Sequence, residues 1–479
     1  MSRTLTVFLF LGFFVGSLSA QENQQGAAEL GKRIRRAVDE SKEEEALALI
    51  DQLGATSGLE AAKTLFELGL TIQVPKLYKK ITELLAQRID DESLKYYEEE
   101  AKSGKDLRQT YLTDVLAAMT NPRAAEILGL LAEEKSALIL RSAIPALGRL
   151  KMRGSVLPLL TILARLDAAK DKSQVYQEAR DALFELTGQD YDEIADWTKW
   201  WQTRAETFEP GKKSEGATQA RKMLRDAVPE FGGKKILGKN VVFVIDTSGT
   251  MRFILQDDIP GLYRTTGRGT DTSGGETGPK EKGTKADPIL AKFWTRMEMA
   301  KRELLKALGG FDVRVRINVI EFNTKVRRLE KALFEATPAN KKKAIDWVRK
   351  MTWKQDGFTD TLAAIEEAFA TDRATTEIYF LSDGIPSKDG QNDDPTDPIL
   401  ERVEALNRFR KVKIHTFGYD PLIISEGVDH PDLLRANEFL RALAKCTGGV
   451  FTLLKVTDEK PPKDFKVQRS QSRSGGSGA

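Results

Sequence analysis

The chain has 479 residues, 41% hydrophobic and 30% charged, which is too long for one ordinary core and too apolar for wholesale disorder. Its 74 basic and 71 acidic residues leave a net charge of +3, so no overall basic excess points to nucleic acid. A single cysteine, Cys446, excludes an intramolecular disulfide, and two histidines, His415 and His430, leave histidine triads and histidine-rich zinc sites poorly supplied.

Residues 1–20 read as a secretory signal peptide. Met1-Ser2-Arg3 is a basic start, Val7 to Val15 an apolar run broken only by Gly12, and Gly16 to Ala20 a small, cleavable stretch before polar Gln21. The apolar run is shorter than the roughly 20 residues needed to span a bilayer. The expectation is therefore an exported mature chain, in a bacterial periplasm or the extracellular space, with no membrane span. Residues 21–205 carry a helical period, as in Ala46-Leu47-Leu49-Ile50-Leu53 and Tyr78-Ile81-Leu84-Leu85. Gly54, Gly69, Pro75, Gly104, Pro122 and Gly154 punctuate short helices, among them Ala124–Leu131, Ala137–Leu150 and Val156–Leu166. Trp197, Trp200 and Trp201 share one helical face with Phe208 beyond, a pattern that closes a helical core more often than it makes a ligand platform. Residues 206–236 read as a linker containing a short helix, Thr218–Val228.

Val241-Val242-Phe243-Val244-Ile245 predicts a strand buried on both faces. It ends in Asp246, followed by Thr247-Ser248-Gly249-Thr250. One carboxylate and the Ser248 and Thr250 hydroxyls thus stand at the carboxyl end of a strand, where open α/β sheets bind ligands. Hard oxygen donors of this kind suit Mg²⁺, Mn²⁺ or Ca²⁺. Residues 256–288, rich in Gly and Thr, read as a mobile insertion beside Asp246, and Gly267-Arg268-Gly269 precedes coil rather than a helix, a weak phosphate-binding signal. There follow a helix Ile289–Leu308, a strand Val313–Phe322 that Val326–Leu329 extends or pairs with, and helices Lys341–Met351 and Leu362–Phe369. Ile378–Leu381 is a strand running into Asp383; after it come helix Ile399–Phe409, strand Val412–Phe417 with His415 packed or at an edge, helix Leu433–Cys446 ending in a buried structural thiol, and strand Val450–Leu454. This alternation predicts a doubly wound parallel sheet, Rossmann-like, separate from the all-α amino-terminal region. Residues 457–479 are expected to be disordered.

Two more segments converge on Asp246. Thr359 lies in the turn Asp356-Gly357-Phe358-Thr359-Asp360, and Asp383 lies at the same sheet edge if the strands are parallel. Together they resemble the von Willebrand factor A (VWA) domain and its metal-ion-dependent adhesion site (MIDAS), whose pattern is Asp-x-Ser-x-Ser, a later loop threonine, and an aspartate ending a further strand. The resemblance spans residues 237–456 and maps onto Asp246, Ser248, Thr250, Thr359 and Asp383, with Thr250 for the last serine and the insertion as the larger departure. It implies direct binding by Ser248 and Thr250, binding largely through water by Asp246 and Asp383, and Thr359 joining in some ligand states. The implied ion is Mg²⁺, with Mn²⁺ or Ca²⁺ as alternatives. The implied activity is non-enzymatic recognition of a protein partner whose acidic side chain completes the coordination.

Ser142–Leu150 and Asp181–Gly188 resemble the second helices of HEAT-like repeats, over about residues 105–190, and such arrays bind proteins. Other readings remain open at this point: a helical bundle acting as spacer, or a scaffold whose solenoid binds the partner while the metal site is vestigial. Asp246-Thr247-Ser248-Gly249-Thr250 also resembles the phosphorylated Asp-x-Thr-Gly-Thr of cation-pumping ATPases and, more loosely, haloacid dehalogenase-type phosphatases. Asp246 would then be a nucleophile, with Lys388, Asp393 and Asp394 as candidate helpers and no role for Thr359.

Overall fold

The computed structural model describes residues 26–134, 136–210, 228–252, 254–255, 294–354, 357–389, 392–420 and 431–454. The expected signal peptide, the helix expected in the linker, the insertion at 256–288 and the tail at 457–479 fall outside the described residues. Two compact units emerge, one of residues 1–225 with 408–411, the other of residues 226–407 with 412–479.

The first unit is helical: α1 (26–39), α2 (Glu43–Ala55), α3 (Leu59–Thr71), α4 (Pro75–Ala86), α5 (Asp91–Ala101), α6 (Asp106–Ala117), α7 (Arg123–Ala132), α8 (Ala137–Leu150), α9 (Val156–Ala168), α10 (Gln174–Thr187) and α11 (Ile194–Arg204). The even-numbered helices from α2 to α10 pack on one another in sequence, and so do the odd-numbered helices from α3 to α11. That is a two-layer solenoid of helical hairpins, in which each pair covers the apolar face of its neighbour. It begins well before residue 105. In α8 the buried residues Ile139, Leu140, Ala143, Ile144 and Leu147 recur at helical spacing. Trp197 is fully buried, its Nε1 donates to the Tyr191 carbonyl at 3.1 Å, and Trp200, Trp201 and Phe208 pack behind it, so the indoles close the end of the core. Among the described residues no helix is long and apolar enough to cross a membrane.

The second unit is built on a seven-stranded sheet. Its strands are β3 (Asn240–Asp246), β6 (Arg316–Phe322), β7 (Val326–Arg328), β8 (Phe334–Glu335), β9 (Glu377–Leu381), β10 (Lys413–Tyr419) and β11 (Phe451–Leu454); short ribbons contribute β1 (Glu230–Phe231), β2 (Lys234–Lys235), β4 (Ile254–Leu255) and β5 (Trp294–Thr295). The order is β11-β10-β9-β3-β6-β7, with β8 also on β6. β3, β6, β9, β10 and β11 are parallel, whereas β7 and β8 run antiparallel to β6, so the sheet is parallel only as far as β6. The helices are α12 (Arg296–Gly310), α13 (Pro338–Arg349), α14 (Thr361–Thr371), α15 (Thr396–Asn407) and α16 (Pro431–Cys446). Along β3, Val241, Phe243 and Ile245 face a core with α12 and α13, and Val242 and Val244 face one with α14, α15 and most of α16. Both faces are covered, which is why the β3 sequence is an uninterrupted apolar run. This is the doubly wound α/β class.

Local chemistry moves several boundaries. α12 starts at Arg296, not near Ile289, because the Thr295 hydroxyl caps it by accepting from the Glu298 N–H at 3.1 Å. Just before that cap, β5 pairs antiparallel with β4, Ile254 opposite Thr295. β6 starts at Arg316 because Asp312 forms a turn, its carboxylate accepting from the Arg314 N–H at 2.9 Å. The end of the expected linker belongs to the core: Phe231 is buried, with Phe243 and Phe417 rings 5.5 and 4.7 Å away.

Candidate functional site

From β3 the chain passes to β6 on one side, and β9, β10 and β11 fill the other. The carboxyl end of β3 is therefore the switch point of the sheet, where a crevice opens between diverging connections. Asp246, the last β3 residue, is wholly buried there. Its Oδ1 accepts from the Ser248 N–H at 2.7 Å and its Oδ2 from the Ser382 hydroxyl at 2.5 Å. Burial, reinforced by the negative charge of Asp383, pushes the Asp246 carboxyl up toward neutrality, and the bonds from Ser382 and Ser248 oppose that rise.

The loop after Asp246 is fixed by Thr247. Its N–H and hydroxyl both donate to the Phe322 carbonyl, at 2.7 and 3.0 Å, and its hydroxyl accepts from Asn323 Nδ2 at 2.9 Å. The Gly249 N–H donates to the Gly357 carbonyl at 3.0 Å, tying this loop to the one that carries Thr359. The Ser248 and Thr250 hydroxyls lie 3.1 Å apart, and exposed Thr250 donates to Asp383 Oδ1 at 2.8 Å. Asp383 follows β9 by two residues, and its Oδ2 accepts from Arg296 Nη1 at 2.6 Å in a buried ion pair. Thr359 is also buried, bridged to Ser387 by two backbone hydrogen bonds of 2.9 Å. A Cβ built on Gly384 would fall 2.8 Å from the Thr359 Oγ1, so that hydroxyl lies against the Asp383-Gly384 turn.

Asp246, Ser248, Thr250 and Asp383 are thus joined through hydrogen bonds, and Thr359 adjoins them beside Gly384. Neighbouring ligands of an octahedral Mg²⁺ ion stand about 3.0 Å apart, given metal–oxygen distances near 2.1 Å. The hydroxyl and carboxylate oxygens here are separated by 3.1 and 2.8 Å, so the donor set fits a small hard cation. Among the described residues no three His, Cys, Asp or Glu side chains gather as metal ligands, so the candidate site consists of two carboxylates supplemented by hydroxyls.

Three supporting residues escaped the sequence reading. Ser382 lies between the predicted strand and Asp383 without a signal of its own, and Thr247 reads as one more small hydroxyl. Arg296 gave no signal, since its partner lies 87 residues on. Asp393 pairs with Arg435 at 2.6 Å, and the Asp394 N–H donates to the Pro386 carbonyl at 2.7 Å. His415 lies in an interior strand, its Nδ1 accepting from the Val450 N–H at 3.1 Å and its Nε2 3.8 Å from Glu377. Cys446 is half-buried rather than fully buried, and burial pushes its thiol up to about 12.

Neither a protein-family model nor a curated protein sequence matches the chain. Solved structures do, VWA-type structures among them. An aerotolerance-related membrane protein from Bacteroides fragilis NCTC 9343 is 16% identical over 46% of this chain and 92% of its own, with a TM-score of 0.29. A von Willebrand factor type A structure from Catenulispora acidiphila is 16% identical over 46% of this chain and 39% of its own, with a TM-score of 0.30. The PilB minor pilin from Streptococcus sanguinis is 15% identical over 46% and 58%, with a TM-score of 0.28.

Proposed function

We propose that the second unit is a VWA-type binding module whose MIDAS-like site holds a divalent cation, Mg²⁺ first among candidates, and recognises an acidic side chain of a protein partner. The observation that carries this reading is the chain of oxygens running from Ser248 through Thr250 to Asp383 beside buried Asp246, at spacings that suit the ion. Ser248 and Thr250 would bind directly and Asp246 and Asp383 largely through water, with Thr359 available from the neighbouring turn. When bound, the ion supplies a Lewis-acidic position open to a partner's carboxylate. The protein's own residues do the positioning: Ser382 and the Ser248 N–H fix Asp246, and Thr247 pins the hydroxyl loop to β6.

In this reading the protein is not an enzyme. A nucleophilic Asp246 would have to bring a carboxylate oxygen to phosphorus, whereas both its oxygens accept hydrogen bonds within a fully buried setting. The signal-like residues 1–20 place the protein outside the cytoplasm in this proposal, and the helical solenoid adds a second protein-binding surface. The test is calorimetric titration of the full chain with Mg²⁺, Mn²⁺ and Ca²⁺, wild type against Asp246→Ala, followed by partner capture with and without EDTA. Binding that is lost in the variant supports the site. Ion-independent capture that survives Asp246→Ala would move recognition to the solenoid and leave the metal site vestigial.

A further inference from the structure

Arg296 stands outside the five residues assigned to the ion, yet it occupies one oxygen of Asp383. Its guanidinium donates to Oδ2 at 2.6 Å, and neither side chain keeps appreciable contact with water. Asp383 is thereby divided, with Oδ2 on Arg296 and Oδ1 on Thr250 among the hydroxyls. The placement is not what a helix start prefers. Arg296 is the first residue of α12, where the macrodipole opposes a positive charge and where Thr295 already supplies the cap. Tyr419 of β10 nevertheless anchors the same residue, its hydroxyl donating to the Arg296 carbonyl at 2.7 Å, with its ring 5.9 Å from the guanidinium carbon.

The charges decide what this arrangement does. Among the groups joined by these bonds, Asp246 and Asp383 together match the two positive charges of a divalent ion, and the buried Arg296 adds one more. We propose that Arg296 is a built-in counter-cation. It weakens the hold of the bare site on a divalent ion and leaves the loaded site positive, so that the ion and an anionic ligand strengthen each other's binding. This rests on the metal reading above and deepens it, because it makes an acidic ligand a condition of tight ion binding. By linkage, the factor by which a carboxylate tightens the ion equals the factor by which the ion tightens the carboxylate.

The experiment titrates the full-length protein with Mn²⁺ by calorimetry, with chloride and then with acetate as the anion, in wild type, Arg296→Met, Arg296→Gln and Arg296→Lys. Thermal melts verify folding, and Arg296→Gln carries the comparison if Arg296→Met does not fold. The neutral variants should bind Mn²⁺ about tenfold or more tightly than wild type in chloride, a conservative reading of one unit charge acting on a divalent ion in a protein interior. Arg296→Lys should stay close to wild type, and acetate should tighten Mn²⁺ binding in wild type more than in the neutral variants. Equal or weaker Mn²⁺ binding in folded neutral variants would overturn the counter-cation while leaving the metal site standing. Absence of Mn²⁺ binding in every folded form would remove both. Binding that appears only in the neutral variants would support the proposal in its strongest form.

Discussion

Replacing Ser382 with alanine tests the support behind Asp246. The serine hydroxyl donates to Asp246 Oδ2 at 2.5 Å, at the short end for a hydroxyl on a carboxylate, and both residues are at most 1% exposed, so water has no room to stand in. A hydrogen bond to a charged group contributes about 1.5–3 kcal/mol, against about 0.5–1.5 between neutral groups. Ser382→Ala should therefore lower stability by about 2 kcal/mol when Asp246 is ionised, or roughly 4–8 °C in melting temperature for a unit of this size. In an Asp246→Asn background the acceptor is neutral and the same substitution should cost about 1 kcal/mol, leaving an interaction of about 1 kcal/mol in the double-mutant cycle. The assay is scanning calorimetry of the full chain at pH 8 in EDTA, following the transition that Asp246→Asn displaces. An equal cost of Ser382→Ala in both backgrounds would mean that the serine only fills space, and the account of how Asp246 is held would fail.

Asp246→Asn alone should raise the apo melting temperature at pH 8 while abolishing calorimetric Mn²⁺ binding, because burial and Asp383 both disfavour the ionised carboxylate; a less stable variant would contradict that electrostatic picture. Gly384→Ala puts a Cβ 2.8 Å from the Thr359 hydroxyl, and Mn²⁺ titration should show weakened binding with little change in the melting curve. In the solenoid, Gly69→Ala should cost about 2 kcal/mol in urea unfolding, reversing the usual gain of alanine in a helix, because the new methyl would fall 1.9 Å from the buried Tyr111 hydroxyl. Burial depresses the His415 pKa, and its Nδ1 already accepts a backbone hydrogen bond, so the folded state resists a proton that the unfolded chain takes up below about 6.5. Its contribution is intact above that pH and is lost as pH falls toward the lowered folded value, with a slope of at most about 1.4 kcal/mol per unit. Denaturant midpoints of His415→Gln should fall less steeply over that window.

What could be read from sequence was whatever local order encodes. The Val241–Ile245 run announces a strand covered on both faces, and an aspartate followed by small hydroxyl residues announces a ligand edge, because both signals lie within ten consecutive residues. Thr359 and Asp383 were found because one lies in a turn just before a recognisable helix and the other just past a recognisable strand. The Ser382–Asp246 and Arg296–Asp383 contacts span 136 and 87 residues, and neither Ser382 nor Arg296 carries a pattern of its own. The start of α12 was misplaced because apolar residues continue the helical period upstream, while the Thr295 cap and the β4–β5 ribbon decide where the helix begins. The antiparallel direction of β7 was latent in the sequence: Phe322 and Val326 leave room only for a tight turn, in which the Asn323 side chain accepts from the Lys325 N–H at 3.0 Å, and a link that short makes a hairpin. The HEAT-like resemblance covers about residues 105–190, whereas the stacking of alternate helices already begins with α2 and α3.

The strongest argument that the β3 edge is a site lies in how poorly its residues serve the fold alone. A strand end buried beneath two covered faces would be better finished by asparagine than by Asp246, whose carboxylate is wholly buried against the Ser248 N–H and the Ser382 hydroxyl. A second carboxylate nearby raises the cost, and a positive charge at the first residue of α12 is disfavoured by the helix itself. At the Thr295, Thr337 and Asp360 caps of the same unit, local preference and packing agree. Locally unfavourable choices that converge on one place are what function leaves in a fold otherwise consistent with its sequence. Here they share a direction. Among the described residues two buried carboxylates face the buried Arg296 guanidinium, and the hydroxyl joined to Asp383 on its other oxygen belongs to Thr250, which is open to solvent.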